Sequence, residues 1–444
     1  MTSIQFFGGV EVIGSTKVLI DSGDARVLLD VGLDIPSGVD LFRSPVLERS
    51  GHELADRLRV GALPWIPGLY DPAQLAGSGA PVEESSPVPT AVFVSHGHID
   101  HLGAAGHVRK DVAVYAHAET VRLMNALAAS GDGLPGGDPA WRPLQNGQQV
   151  RVGSITVECV PVEHDVPGAC GYLVTTPSGT IAYTGDIRWH GPHPDVTGAF
   201  VHRARGVDVF FTETTQLSWP DTPATHRSDV DVLADVGQLL AANPGALVLL
   251  SSYPRDVELA AGLIATSARA GRRIVWPGRH AAVLARMGVT GICTWDRSRP
   301  QRQAHVTAIE NLDVPVDLVG LDAVRARPGE FVVHPDAGEL PSLLDLPISP
   351  GIPYVHTGGE PLGEFDPRWA PFVDWLAALD IRLAKLGCSG HATADDLHRM
   401  VAEIAPKVVF PVHGVHPEAL VPPAGTRSVL PALGVRYELD ALLG

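Results

Sequence analysis

The sequence predicts an α/β fold of stacked layers, and two observations carry that expectation. Short runs rich in β-branched residues recur along the 444-residue chain, and segments with helix-period apolar spacing separate them. In chain order the strand candidates are "KVLID" (17–21), "ARVLLDVG" (25–32), "AVFVSH" (91–96), "VAVYAH" (112–117), "SITVECVPVEH" (154–164), "TIAYTGD" (180–186), "VDVFFTE" (207–213), "ALVLLSS" (246–252), "RRIVWPG" (272–278) and "KVVFPVH" (407–413). Between them, "SDVDVLADVGQLLA" (228–241) and the stretch from Pro254 to Ala270 read as amphipathic helices. Another helix begins near Thr393, because Leu397, Met400, Val401 and Ile404 follow the i, i+3, i+4, i+7 spacing. Thr393 with Asp396 approximates an N-terminal capping box there. From about Ile35 to Thr90 the chain is rich in Pro, Gly and Ser, as in "GALPWIPGLYDP" and "GSGAPVEESSPVP". That stretch reads as a long excursion with one short helix at "SPVLERSGHELADRL" (44–58), not as a separate domain.

Composition narrows the function classes. Hydrophobic residues make up 45% of the chain and charged ones 19%, the balance of a globular protein with ample core. No stretch approaches the length of uninterrupted apolar sequence that a membrane span needs. The N-terminus, "MTSIQFFGGVEVIGSTKV", lacks a basic segment followed by an apolar one and does not read as a signal peptide. Cys159, Cys170, Cys293 and Cys388 are scattered without pair spacing, which favours a reduced cytoplasmic enzyme. With 33 Lys and Arg against 50 Asp and Glu, the formal charge is −17. Such a surface argues against broad, non-specific nucleic-acid binding, which depends on phosphate neutralisation, but not against a local basic channel.

The candidate chemistry sits at strand ends. "VSHGHIDH" brings His96, His98, Asp100 and His101 directly after an apolar run. The run over 155–162 ends at His164, that over 181–184 leads through Gly185 to Asp186, and that over 408–412 ends at His413. A sheet holds its strand ends rigidly while the loops leave side chains free, so residues distant in sequence can converge. Imidazole with carboxylate suits zinc or another borderline first-row ion. Seven such groups exceed what one tetrahedral ion takes and suit two ions sharing a carboxylate. A two-metal clamp generates hydroxide near neutral pH and stabilises displacement at phosphorus or carbonyl.

The string H-x-H-x-D-H, followed in order by "EHDVPG", "YTGD" and "PVHG", resembles the metallo-β-lactamase superfamily over most of the chain. The resemblance implies an αββα sandwich with a dinuclear site at one edge. It implies His96, His98 and His164 on one ion, Asp100, His101 and His413 on the other, and Asp186 bridging. Asp30, in "ARVLLDVG", matches the aspartate that buttresses the site.

About 170 residues separate "VDVFFTETT" from "LGCSGHATADDL", a gap that the shorter lactamases and glyoxalases lack. With those borders it resembles the β-CASP branch, whose members include ribonuclease J and the mRNA 3′-end processing nucleases. "SSYPRDVELAAGLIATSARAGRRIVWPG" is similar to the start of the inserted domain in ribonuclease J relatives. The implied organisation is a metallo-β-lactamase domain in two parts, 1–215 and 386–444, around an inserted α/β β-CASP domain over 216–385. Glu213 then matches the acidic residue that hydrogen-bonds a ligating histidine. His391, in "SGHATADDL", matches the histidine of a glycine-containing loop before a helix. The residues support that placement, since Gly390 and His391 precede a helix N-terminus, where N–H groups and the dipole favour an anion. His391 there can hold the scissile phosphate or assist the leaving oxygen.

Further candidates follow strands in the inserted segment. Ser252 and Arg255 in "LLSSYPRD" could reach a phosphate, the arginine by a bidentate contact. His356 and Thr357 in "YVHTGGEP" precede a glycine pair that permits close approach of a ligand. Arg188, His190 and His193 lie just beyond Asp186 and suggest a rim, while "ARAGRRIVWPGRH" reads as a solvated basic face. Trp65 and Tyr70 of the excursion can stack on a base or simply pack.

The function expected is a two-metal phosphodiesterase acting on single-stranded RNA, with zinc as the metal and manganese as the alternative. A metal-bound hydroxide attacks phosphorus in line, Asp100 and Asp186 hold the ions and orient the nucleophile, and His391 steadies the phosphate. Two alternatives stand beside it. One is a dinuclear hydrolase of a small ester, lactone or cyclic phosphodiester, which the acidic balance favours. The other is a non-catalytic β-CASP binding subunit, although such subunits usually lose ligands and here every expected position is filled. The chain ends 31 residues after His413, where ribonuclease J proper continues into a further domain, so dimerisation by that domain is not expected here. A homo-oligomer of another kind stays open.

Overall fold

The computed structural model describes residues 1–34, 41–42, 46–82, 86–219, 227–296, 303–310, 312 and 315–444. Parts of the 35–90 excursion, including Ser44 and Pro45 at the start of its expected helix, lie outside the described residues. The chain divides into two compact units. The first comprises Met1–Val121, Leu134–His226 and Gly390–Gly444; the second comprises Arg122–Gly133 and Arg227–Ser389.

Two seven-stranded sheets form the first unit. One runs Arg436–Glu438, Ser3–Gly8, Lys17–Asp21, Arg26–Leu29, Thr90–Val94, Ala113–His117, Trp141–Leu144 in spatial order. Its first four strands pair antiparallel and the remainder parallel. The other runs Arg427–Ser428, Val408–Val412, Val209–Glu213, Gly179–Tyr183, Cys170–Thr176, Ile155–Pro161, Gln149–Val152. Alternation along the strands sends Phe6, Val18, Val27 and Phe93 of one sheet against Tyr172, Ile181, Phe211 and Phe410 of the other, in one dry core. The outward residues of the first sheet, such as Leu28, Val92, Val94 and Val114, are buried as well, as the parallel part of a covered sheet requires. Helices Pro194–Ala204 and Ala394–Ile404 close the outer face of the second sheet, packing Phe200, Val201, Leu397, Met400 and Val401 on Ala182, Phe210 and Val409. The architecture is the αββα sandwich expected from the sequence.

The second unit is built on a seven-stranded sheet whose pairings are all parallel. Its spatial order is Asp317–Val319, Cys293–Trp295, Arg273–Trp276, Phe331–Val333, Val248–Ser251, Pro353–His356, Arg382–Lys385. Leu249, Val275, Phe331 and Tyr354 pack with Trp369, Phe372 and Leu376 on one face.

Several expectations shift in detail. The excursion's helix covers Glu53–Val60 and not 44–58, because Gly51 at φ 76° turns the chain before it. The helix expected from Pro254 starts at Val257, where Asp256 caps the Leu259 amide at 3.0 Å. The "ARAGRRIVWPGRH" segment is not simply a solvated face: Arg272 is buried, donating to the Ala246 carbonyl at 2.8 Å and to that of Asn243. Tyr70 is buried too, its hydroxyl on the Pro64 carbonyl at 2.7 Å and its ring against Trp65, so it packs. No helix among the described residues is long and apolar enough to cross a membrane.

Candidate metal centre

The strand ends of the sandwich converge. Thr90–Val94 leads into His96 and His98, and the short helix Ile99–Leu102 carries Asp100 and His101. Ile155–Pro161 leads to His164, Gly179–Tyr183 to Asp186, and Val408–Val412 to His413. Gly185 makes the approach to Asp186: its φ is 60°, and a Cβ there would fall 2.6 Å from Ser95 Cβ.

Two ligand nests result. His96, His98, His164 and Asp186 offer donor atoms within 4.8 Å of one another, and so do Asp100, His101, His413 and Asp186. Asp186 belongs to both. One of its oxygens lies 3.7 Å from His96 Nε2 and 4.0 Å from His164 Nε2; the other lies 3.2 Å from His101 Nε2. Asp100 Oδ2 meets His413 Nε2 at 3.0 Å. Yet His96 Nε2, His101 Nε2 and both Asp186 oxygens, all buried, have no well-aligned hydrogen-bond partner among the described residues. Buried polar atoms that face one another without bonds suit a cation, and the donor set suits a first-row divalent ion. The residues therefore fit the metal that the fold family implies.

Electrostatics agree with that fit. Burial holds His96 well below the usual histidine range, with the imidazoles of His101 and His164 adding to it. Burial likewise lowers His164 to about 4. For Asp186 and Asp100 burial opposes the charge, but His101 and His413 outweigh it and hold both carboxyls below their usual range. His101 shows the converse: against burial, Asp186, Asp30 and Asp100 raise it well above an ordinary histidine. The centre thus concentrates carboxylate charge that a divalent ion can balance.

Support comes from behind. Asp30, at φ 59°, is fully buried and accepts from the Ser95 amide at 2.6 Å, Ser95 Oγ at 2.8 Å, His101 Nδ1 at 2.7 Å and the Tyr183 hydroxyl at 2.5 Å. It is a structural hub, not an ordinary turn residue. Glu213 accepts from the Ile187 amide at 3.1 Å and from the Thr215 amide at 3.3 Å, and it faces His391 Nδ1 at 3.0 Å. One carboxylate thereby ties the Asp186 loop to the His391 loop. Burial works against a charged His391, but Glu213 and then Asp186 overcome it and push the group up to about 10. Thr393 caps the following helix by accepting from the Asp396 amide at 3.0 Å, which fixes the loop before it.

The remaining candidates divide. Gly390 lies at the centre, its carbonyl accepting from His164 Nδ1 at 2.6 Å. Arg188 is buried and paired with Glu163 at 3.1 Å. Ser252, Arg255, His356 and Thr357 belong to the second unit. There the buried Ser252 Oγ has no hydrogen-bond partner among the described residues, whereas Thr357 donates to the Ser251 carbonyl at 2.9 Å and His356 Nε2 to that of Pro361 at 2.9 Å. Arg255 pairs with Asp132 at 3.7 Å. Sequence reasoning passed over Ser95, Asp165 and Thr215, which lie against imidazoles of the two nests; their signal was a short polar residue one or two positions from a candidate ligand or from Glu213.

Comparison with known proteins points the same way. Residues 66–249 match the profile of a beta-lactamase superfamily domain, and residues 379–421 that of a Zn-dependent metallo-hydrolase RNA specificity domain. Ribonuclease J of Pyrococcus abyssi is 22% identical over 93% of this chain and 90% of its own length. Ribonuclease J of Mycobacterium tuberculosis is 24% identical over 73% of this chain, which spans only 58% of that longer protein. A crystal structure of an Enterococcus faecalis protein of unknown function superimposes with a TM-score of 0.82 at 29% identity, covering 98% of this chain and 99% of that one. With the sandwich, the paired ligand nests and these likenesses together, the chain carries a metallo-β-lactamase domain and an RNA specificity domain and fits a ribonuclease J-like protein of the β-CASP branch.

Proposed function

We propose that the protein is a two-metal phosphodiesterase that hydrolyses single-stranded RNA in the cytoplasm. The observation that carries this reading is the shared Asp186 between two ligand nests, beside a His391 whose charge Glu213 sustains. The RNA specificity profile over 379–421, which spans Gly390, His391 and His413, supports the substrate class, as do the ribonuclease J relatives. Four cysteines outside any disulfide suit a reducing compartment.

His96, His98 and His164 would hold one ion and Asp100, His101 and His413 the other, with Asp186 between them. When bound, the ions (zinc, with manganese as the alternative) supply Lewis-acid charge at phosphoryl oxygens and activate water. The chain's own residues do the rest. With Nδ1 fixed on Glu213, His391 offers a phosphate oxygen the proton at Nε2, and its positive charge favours the anion at neutral pH. Asp30 and Glu213 keep the loops in place, so the groups need no reorganisation when substrate arrives. Gly390 would contact substrate at this centre, and within the second unit Ser252, Arg255, His356 and Thr357 are the candidate RNA contacts, Ser252 through its hydroxyl.

The formal charge of −17 favours a second reading, a small bis-ester or cyclic phosphodiester as substrate. Incubating metal-loaded protein with a 5′-monophosphorylated single-stranded RNA, beside bis(p-nitrophenyl) phosphate, separates the two. Cleavage of the RNA supports the proposal. Turnover of the bis-ester with intact RNA would reassign the substrate, and turnover of neither would end the phosphodiesterase reading.

A further inference from the structure

Four imidazoles of the centre share one arrangement. Nδ1 is tied from behind, to Ser95 Oγ at 2.9 Å for His96, to Asp30 at 2.7 Å for His101, to the Gly390 carbonyl at 2.6 Å for His164 and to Thr215 Oγ1 at 2.8 Å for His413. Nε2 then faces Asp186 or Asp100. His98 is turned the other way. Its Nδ1 lies 3.3 Å from His164 Nε2, within the ligand nest, while its Nε2 lies 3.2 Å from Asp165 Oδ1. Asp165 belongs to neither ligand nest.

We propose that Asp165 is the positioning residue of His98, accepting a hydrogen bond from Nε2–H and so leaving the Nδ1 lone pair to the first ion. The inference rests on the two-ion reading above. Oδ1 also lies 3.2 Å from His164 Nε2, and being shared between two imidazoles it aligns well with neither. Once an ion takes His164 Nε2, the His98 Nε2 proton remains for it to accept. Carboxylate–histidine–metal chains of this kind set both tautomer and ring orientation. The carboxylate is itself placed. It follows His164 directly, and Gly390 makes room for it: a Cβ on Gly390 would fall 2.8 Å from Asp165 Oδ2 and 2.9 Å from His164 Cε1. The same glycine carbonyl holds His164, so the loop leading to His391 also supports the first ligand nest.

The test measures metal content by elemental analysis and metal affinity by chelator competition in wild type, D165A and D165N, with circular dichroism as the check on folding. Two ions in wild type, with the tighter binding of one weakened about 10–100-fold in D165A and partly restored in D165N, is the expected result. Cobalt-substituted D165N keeps the wild-type visible absorption if Asp165 acts through His98; a changed coordination number would make Asp165 a direct ligand and overturn the proposal. Wild-type affinity at both sites in D165A would overturn it while leaving the two-ion reading intact. Fewer than two ions in wild type would remove both.

Discussion

Glu213 Oε2 lies 3.0 Å from His391 Nδ1, joining a residue at the end of a buried strand to one on a loop 178 positions later. The same carboxylate accepts from the Ile187 amide beside Asp186. The charge on His391 and the position of the Asp186 loop therefore depend on one side chain.

That dependence gives a pH signature. His391, raised to about 10, keeps its proton from acid pH up through neutrality and loses it only as pH rises through about 10. A raised group stabilises fully below its unfolded value, about 6.5 for histidine, and the contribution fades between there and about 10. Activity that needs protonated His391 should show its alkaline limb near the upper value. In E213Q that limb should move down toward the ordinary histidine range. The profile of kcat/KM against pH checks this; an unmoved limb would separate the pair from the chemistry.

Asp30 should be costly to replace, and unequally so. D30A strands the buried Ser95 amide, the Tyr183 hydroxyl and His101 Nδ1, and it places alanine at φ 59°. A loss of about 3–5 kcal/mol is expected for breaking such a buried charged hub. D30N keeps an acceptor and a residue type that tolerates the left-handed backbone, so its loss should be smaller. Urea unfolding of the two variants measures the difference.

Metal binding should release a proton. Asp186, Asp30 and Asp100 raise His101 above the ordinary histidine range against its burial, favouring its protonated form, whereas a ligating imidazole must be neutral. Calorimetric titration in two buffers of different ionisation enthalpy reads this directly. Proton release per ion bound at pH 7 should be smaller in H101A.

Gly390 is required for space, not for backbone freedom. In G390A the methyl meets Asp165 and His164, so the loop carrying His391 must shift. Displacement of about an ångström at a catalytic group costs on the order of 100-fold in rate, and kcat should fall by that order with thermal stability nearly unchanged. Steady-state kinetics beside a melting curve would show it.

Much of the fold was legible because it rests on local pattern. The β-branched runs that end in His164, Asp186, Glu213 and His413 are strands, and the 3.6-residue spacing from Leu397 to Ile404 marks a helix that Thr393 caps. Strands such as Cys170–Thr176 and Ser3–Gly8 were missed, since "CGYLVTT" and "SIQFFG" mix glycine and polar residues whose partners come from elsewhere in the sheet. Within the candidate site, histidines crowded in six residues stand out by type and spacing. Ser95, Asp165 and Thr215 do not, because a lone polar residue beside a ligand reads as a turn until three dimensions show which nitrogen it faces. Arg272 hid for a related reason. Its charge suggested water, while its actual partners are carbonyls 26 and 29 positions earlier.

The central claim is that the two ligand nests around Asp186 act together on an RNA phosphodiester. Cleavage of end-labelled single-stranded RNA by metal-loaded wild type, beside H98A and H391A, tests it most directly. The account predicts cleavage by wild type, and a loss on the order of 100-fold or more in each variant as a metal ligand or a phosphate-stabilising donor is removed. Variants that cut the RNA at the wild-type rate would contradict it.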